Sequence, residues 1–476
     1  MFLHTDNRMS LTGYALCIVL GLTTVCRGDN PGMKVRVAES FLDSGVQFLI
    51  KTMQEGMSSV TLPDISGSAS MEGDEMKYTL RQIQISNLTC TSASSAFVPK
   101  TGVKVSLKDC DAIINCISDV DSWFLKDIGK ATITLKKITA TMVLGIRRSL
   151  AGVLSIAMQD CQSEIGKTDV NVASTVAFVY DTLKGPIEQM VQSSIKEQLC
   201  SALRMQVVSW NESLNHLNMH YMFTDLIMAD LSVEGEVEIT STYTDIGMNG
   251  QFNTFDKAKG DFSPAPMTFP DHTGRQSSAG VSEASLNSLT SAFYKSGSLN
   301  AMLSNVLESI NLTTSELEVP EISQRYKSPA PVKMTLIATQ APKVYLKPNN
   351  VTLEFFGLIQ AHDVTEPSKQ QLLLGERIVA ALDTSMSLSS ATGFPGLILS
   401  GSVGLNRIQI NKSKPEGTSS KVVATEAATQ KLFNQLLSPI NGKLKEGMPI
   451  NSTLLMNPSV SIEEGFAWVK VDFVLN

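Results

Sequence analysis

At 476 residues the chain is longer than one ordinary core supports, and 43% hydrophobic residues with 18% charged exclude a disordered protein, so two large domains are the natural division. A formal net charge of −7, with no concentrated Lys/Arg stretch, excludes a nucleic-acid partner, because neutralising a phosphate backbone takes a basic surface.

The chain opens with an apolar run, "GYALCIVLGLTTVC" over residues 13–26, too short to cross a bilayer and followed by "RGDNPG", which cannot continue a helix. It reads as an export signal over residues 1–28, cleaved between Val25 and Asp29, rather than as an anchor. Export suits the six Asn-x-Ser/Thr triplets at Asn87, Asn211, Asn311, Asn350, Asn411 and Asn451.

"KVRVAESFLDSGVQFLIKTM", residues 34–53, places Val37, Phe41, Leu42, Val46, Leu49, Ile50 and Met53 at spacings of three and four, the pattern of one apolar helical face. Alternating segments follow. In "KATITLKKITATMVLGI", residues 130–146, Ala131, Ile133 and Leu135 share one face, and the phase slips at Lys136-Lys137, which predicts a bulge in a long curved strand. "DTLKGPIEQMVQSSIKEQLC", residues 181–200, is a second helical stripe through Leu183, Ile187, Met190, Val191, Ile195 and Leu199.

Five cysteines remain after the signal, an odd number, and an oxidising compartment implies at least one disulfide. Cys161 ends a strand-like run and Cys200 ends a helix, so these two are the favoured pair; closing that loop contributes roughly 4 kcal/mol in the chain-entropy model. Cys90, Cys110 and Cys116 stay unassigned.

"GDFSPAPMTFPD", residues 260–271, concentrates three prolines at the middle of the chain. Beyond it the same order of elements returns. "GVSEASLNSLTSAFYKSGSLNAML", residues 280–303, aligns with the first helix so that Val281, Glu283, Leu286 and Ser288 fall on Val37, Glu39, Leu42 and Ser44. Alternating segments come next, then "ATQKLFNQLLSPINGKLKEGM", residues 428–448, an apolar-striped helix bent at Pro439. The prolines therefore separate two copies of one architecture and act as a stiff joint between them.

Enzyme signatures are missing: the chain has no Gly-x-Ser-x-Gly, no phosphate-cradling glycine loop and no His-Glu-x-x-His. His216 and His220 in "HLNMH" would share one side of a helix, yet no third ligand accompanies them, and Glu72, Asp74 and Glu75 fit a solvated loop better than an acid-base pair. No catalysis, metal or cofactor is expected.

"NPGMKVRV" at the mature start, the cysteines at 161 and 200, the central "FSPAPMTFP" and the terminal "LKEGMPINSTLLMNPSVSIEEGFAWVKVDFVLN" together resemble the lipid-binding serum glycoproteins. That family includes bactericidal permeability-increasing protein, lipopolysaccharide-binding protein and the cholesteryl ester and phospholipid transfer proteins. The resemblance implies an α+β boomerang of two pseudo-symmetric half-barrels, each a twisted antiparallel sheet around a long helix, joined by a central sheet. It also implies an apolar pocket in each half and a Cys161–Cys200 disulfide tying the closing helix to the N-terminal sheet. The domains would then be residues 29–255 and 281–476, each with part of the central sheet, with a linker over 256–280.

The expected function is secreted lipid binding or transfer, with a phospholipid or other amphipathic lipid as partner. Each buried CH₂ is worth about 0.8 kcal/mol, so a sixteen-carbon chain gains on the order of 12 kcal/mol. Candidate lining residues are Phe41, Phe48, Leu49, Ile187, Met190, Val191 and Ile195 in the first half, and Leu289, Phe293, Leu432, Leu436 and Ile440 in the second. Capture of lipopolysaccharide or of a membrane surface is the alternative, and a scaffold without lipid is a third. Charge separates the first two. Residues 61–77 set Lys77 against Asp64, Glu72, Asp74 and Glu75, and residues 109–127 set Lys126 against Asp109, Asp111, Asp119, Asp121 and Asp127. Acidic tip segments of this kind favour a neutral or zwitterionic lipid.

Overall fold

The computed structural model describes residues 30–42, 44–47, 51, 61–71, 74–121, 125–173, 177–255, 262–271, 274–307, 312–317, 319–366, 371–390, 396–411, 426–451 and 455–473. The segment 1–28 read as an export signal, Phe48, Leu49 and Asn311 lie outside them, as do the side chains of Leu432, Asn411 and Asn451.

Four long antiparallel strands, Asp74–Val98, Gly102–Asp121, Lys126–Arg148 and Leu154–Ala173, form the N-terminal sheet. Alternate side chains point inward along each of them, as a half-buried strand requires. The sheet curls because it is creased. Asp109 and Lys137 take left-handed backbone, with φ 51° and 55°, where the pairing slips, and Gly166 faces Lys137 so closely that a Cβ would stand 2.9 Å from the Lys137 Cβ. Inward-facing residues accordingly change from Ala131, Ile133 and Leu135 to Ile138, Ala140 and Met142 across Lys136-Lys137.

The helix Ala177–Asn215 closes this half, running antiparallel along the edge strand Leu154–Ala173. It is nearly twice the length of the stripe read from the sequence. Its side chains satisfy the strand's outward backbone groups, which would otherwise form an open sheet edge. Val170 N–H donates to the Glu188 carboxylate (3.2 Å), Gln192 Nε2 donates to the Ile165 carbonyl, and Ile156 N–H donates to Asn211 Oδ1 (2.8 Å). The Cys161–Cys200 disulfide lies within this series, beside the Ser163 hydroxyl that donates to the Lys196 carbonyl.

The C-terminal half repeats the plan. Strands Pro331–Ala338, Asn350–Asp363, Gln371–Ser390 and Gly396–Asn411 make its sheet, and the helix Glu426–Glu446 packs along the last of them. Asn441 on this helix grips Val403 twice, its Oδ1 accepting from the Val403 N–H (2.7 Å) and its Nδ2 donating to the Val403 carbonyl (2.8 Å).

Both halves contribute to a six-stranded central sheet. Met33–Ala38 and Ser277–Ser282 meet antiparallel at the seam; Tyr243–Met248 flanks the first, while Phe466–Phe473 and Leu455–Glu463 follow the second. The helical reading of residues 34–53 therefore needs correction: Met33–Ala38 is a strand and the helix begins at Glu39. Strand Ser277–Ser282 likewise precedes the helix Glu283–Lys295, and Gly297, at φ 79°, separates that helix from the next at Ser298. The alignment of Val281 on Val37 and Glu283 on Glu39 thus matches strand end to strand end and helix start to helix start.

The proline segment is not a spacer. Residues 262–270 are strapped onto the central sheet, where Met267 and Phe269 bury against Phe466 and Trp468 as a small core of their own. Lys34 Nζ donates to the Met267 carbonyl (2.7 Å), Arg36 to the Pro270 carbonyl (2.7 Å) and Asn30 Nδ2 to the Pro264 carbonyl (3.1 Å). Gly280 lies beneath Phe269, whose ring would stand 2.6 Å from any added Cβ. Arg36 is buried against Asp245 through contacts of 2.6 and 2.8 Å and lies over the Tyr243 ring, so the strap is held by a paired charge. Residues 277–280, assigned to the linker from sequence, belong to the seam strand.

Candidate functional site: the N-terminal half-barrel

Under the crease the closing helix packs against the sheet. There it encloses a cavity of about 40 Å³ lined only by apolar side chains and the Cys90–Cys110 disulfide, with Leu62, Leu107 and Ile138 on the sheet side and Ile195, Leu199 and Leu203 on the helix. Ile187, Val191 and Ile195 are buried on the helix face turned to the sheet. Met190 is half-buried, with its sulfur accepting from the Tyr78 hydroxyl at 2.9 Å.

Other candidates sit elsewhere. Phe41 belongs to a cluster with Val37, Val471 and Phe473, its ring edge-on to Phe473 at 5.2 Å, and so joins the two halves instead of lining the first. Leu289 and Phe293 face the three-stranded sheet of Gln251–Thr254, Ile227–Asp230 and His220–Thr224, not the C-terminal core. Leu436 is buried in that core and Ile440 is packed against it, and the sequence stripe missed the buried Phe433 and Leu437 beside them.

The second disulfide was not foreseen. Cys90 and Cys110 face each other across neighbouring strands, and Cys116 is free and buried. Burial pushes the Cys116 thiol pKa up to about 11.

At the tip, the strand ends Met71/Asp74 and Asp121/Lys126 come together. Arg81 pairs with Asp119 at 3.0 Å and Lys126 with Asp121 at 3.1 Å. Asp109 and Asp111 are not tip residues: they lie at the crease, where Asp111 accepts the Lys137 N–H at 3.2 Å, and Lys136 and Lys137 sit there with them. Among the triplets with described side chains, Asn87 and Asn350 are exposed, while Asn211 is half-buried and holds Ile156. The helix ends at Asn215 and a strand begins at His220, so His216 and His220 do not share a helical face; among the described residues no group of three metal-ligating side chains occurs. No helix among them is long and apolar enough to cross a membrane.

Two curled sheets, each closed by a helix and joined by a sheet to which both contribute, define a protein built from two variants of one architecture. Both halves match family models, residues 41–217 the N-terminal domain and residues 223–475 the C-terminal domain of the LBP / BPI / CETP family. The chain belongs to that family. It is 25% identical to the human (Homo sapiens) BPI fold-containing family C protein over 93% of this chain and 88% of that one, and 22% identical to the lipopolysaccharide-binding protein of Bos taurus over 97% of each. It is 20% identical to the Homo sapiens phospholipid transfer protein over 78% of this chain and 76% of that one. A crystal structure of lipopolysaccharide binding protein superposes with a TM-score of 0.58 at 17% identity, covering 94% of this chain and 99% of that one, which places the fold.

Proposed function

We propose that this chain is a secreted lipid-binding or lipid-transfer protein that acts by sequestration, not catalysis, and takes a neutral or zwitterionic phospholipid such as phosphatidylcholine in preference to lipopolysaccharide. The observation that carries the preference is the tip, where Arg81 and Lys126 each stand against a carboxylate. The carboxylates beside these cations repel a lipid A phosphate, which would have to displace them to bind. Relatives named for binding lipopolysaccharide and for transferring phospholipid support the general class equally.

The acyl chains would occupy the space between the closing helix and the creased sheet. Ligand pockets begin at about 300 Å³, whereas the cavity now enclosed there is about 40 Å³. Loading therefore requires the helix to lift from the sheet on the side opposite its bonds to the edge strand. Two disulfides suit an oxidising compartment. Organic extraction of the purified protein followed by mass spectrometry is expected to recover phospholipid, and binding of phosphatidylcholine is expected to exceed that of lipopolysaccharide at both low and high salt. Tight lipopolysaccharide binding that weakens steeply with salt would reverse the preference, and an empty extract would favour the scaffold.

A further inference from the structure

The closing helix Ala177–Asn215 is held to the N-terminal sheet unequally along its two flanks. Lys184, Glu188, Gln192, Lys196 and Cys200 follow one another at four-residue steps, and each meets the edge strand Leu154–Ala173. Besides the bonds of Glu188 and Gln192, Lys184 pairs with Asp169 at 2.6 Å, Lys196 with Glu164 at 2.7 Å, and Cys200 with Cys161. Steps of about 100° per residue put Met190 on the other flank, with the inward Val191 between it and Gln192. That flank faces the strand Ile65–Met71. None of the described residues in that strand hydrogen-bonds the helix, which is bonded on this side through Met190, whose sulfur accepts from the Tyr78 hydroxyl at 2.9 Å.

Gly67, which pairs with Tyr78 across the two strands, makes this meeting possible: a Cβ there would collide with the Met190 sulfur and stand 2.6 Å from the Tyr78 oxygen. The Tyr78 side chain lies between Met76 and Leu80 on its own strand and near Ile65 on the next, all buried and facing inward. Burial raises its pKa, so the hydroxyl remains a donor at neutral pH. A thioether is a weak acceptor, and a buried hydroxyl gains by exchanging it for a carbonyl oxygen. These neighbours are all apolar, so a charged phosphate would be stranded among them, whereas the neutral carbonyl of an ester fits.

Resting on the lipid-binding reading above, we propose that lipid enters between the strand Ile65–Met71 and the closing helix, and that Tyr78 is a specificity-determining residue at this entrance. As Met190 moves out with the lifted flank, the Tyr78 hydroxyl passes from the thioether to an ester carbonyl of a glycerophospholipid. The carbonyl is thereby fixed at the helix flank, with the acyl chain inside and the head group outside.

The test incubates the purified full chain with vesicles of equal parts dioleoylphosphatidylcholine and its diether analogue, which has the same head and chains but no ester carbonyl. The protein is then separated and extracted, and the two lipids are counted by mass spectrometry. The parent is expected to hold about fivefold more ester than ether lipid, the worth of one buried hydrogen bond. Tyr78→Phe should take up both alike, while Met190→Leu, which removes the thioether and keeps the bulk, should retain the preference. Equal uptake by the parent would overturn the role of Tyr78 and leave lipid binding standing. A preference lost in Met190→Leu as fully as in Tyr78→Phe would assign selection to the shape of the barrel and overturn it as well. Recovery of neither lipid from the parent would overturn the lipid-binding reading together with it.

Discussion

Single residues in this molecule show where sequence pattern suffices and where it does not. The phase slip at Lys136-Lys137 was legible because period two is rigid: one extra residue moves every later side chain to the other face, and the crease follows. The Cys90–Cys110 pair was not, because it depends on where the chain turns: the two strands run in one unbroken register from Val98↔Gly102 to Cys90↔Cys110, and a long alternating stretch does not show its turn. Cys116, six residues beyond Cys110, faces Ala131 on the next strand and is free and buried. Its buried thiol has a pKa raised to about 11, so it stays protonated at neutral pH and is screened from reagents. Iodoacetamide is expected to leave the native protein, taken without the segment 1–28 that carries Cys17 and Cys26, unlabelled and to add one group per chain after unfolding without reductant. The folded pKa lies above the ordinary value of 9, so the unfolded state releases this proton first and the thiol's contribution to stability falls as pH rises from about 9 towards 11. Labelling of the native chain at pH 8 would contradict both statements.

Elements were legible in type and misjudged in extent. Met33–Ala38 read as helix because Val37, Phe41 and Leu42 fit a helical spacing that runs back across the strand end; only pairing on both sides makes those residues a strand. The apolar stripes of the closing helices were visible, but their side-chain bonds to sheet edges were not, since a polar residue on a helix carries no mark of what it faces. Asn441 is the clearest case. It satisfies both backbone groups of Val403 on the edge strand and anchors the helix Glu426–Glu446 near Pro439, where the ladder of backbone bonds already lacks one donor. Asn441→Ala is expected to cost about 2 kcal/mol, because both Val403 groups are left half-buried and unpaired. Asn441→Asp, which keeps the acceptor for the Val403 N–H and loses the donor, should fall between the two in urea unfolding. A variant as stable as the parent would show that water replaces the side chain there.

At the scale of the molecule, the seam explains why a division into two domains describes the repeat but not the mechanics. The first strand of each half pairs with the other, from Met33↔Val281 to Val37↔Ser277, so neither half completes its own sheet. Phe41 on Phe473, Arg36 on Pro270 and the Met267–Phe269 strap add contacts across the seam that composition and periodicity give no sign of. Polar residues just after the prolines look from sequence like a cleavable hinge. In the fold, Arg275 is ion-paired to Asp472 at 3.0 Å, and Gln276 is bonded through its backbone N–H to Asp472 and through its side-chain carbonyl to Phe473 N–H. The trypsin site between the strap and the seam strand is Arg275, half-buried and held by Asp472, so cleavage there in the native protein is expected to be slow, and it cuts no strand pairing. The two fragments so produced are expected to co-elute at the size of the intact chain on gel filtration and to separate only in denaturant, because the five paired residues at the seam and the strap's buried aromatics hold without covalent continuity. Fragments that part in native buffer would mean that the strap, through its chain connection, and not the seam, holds the halves together.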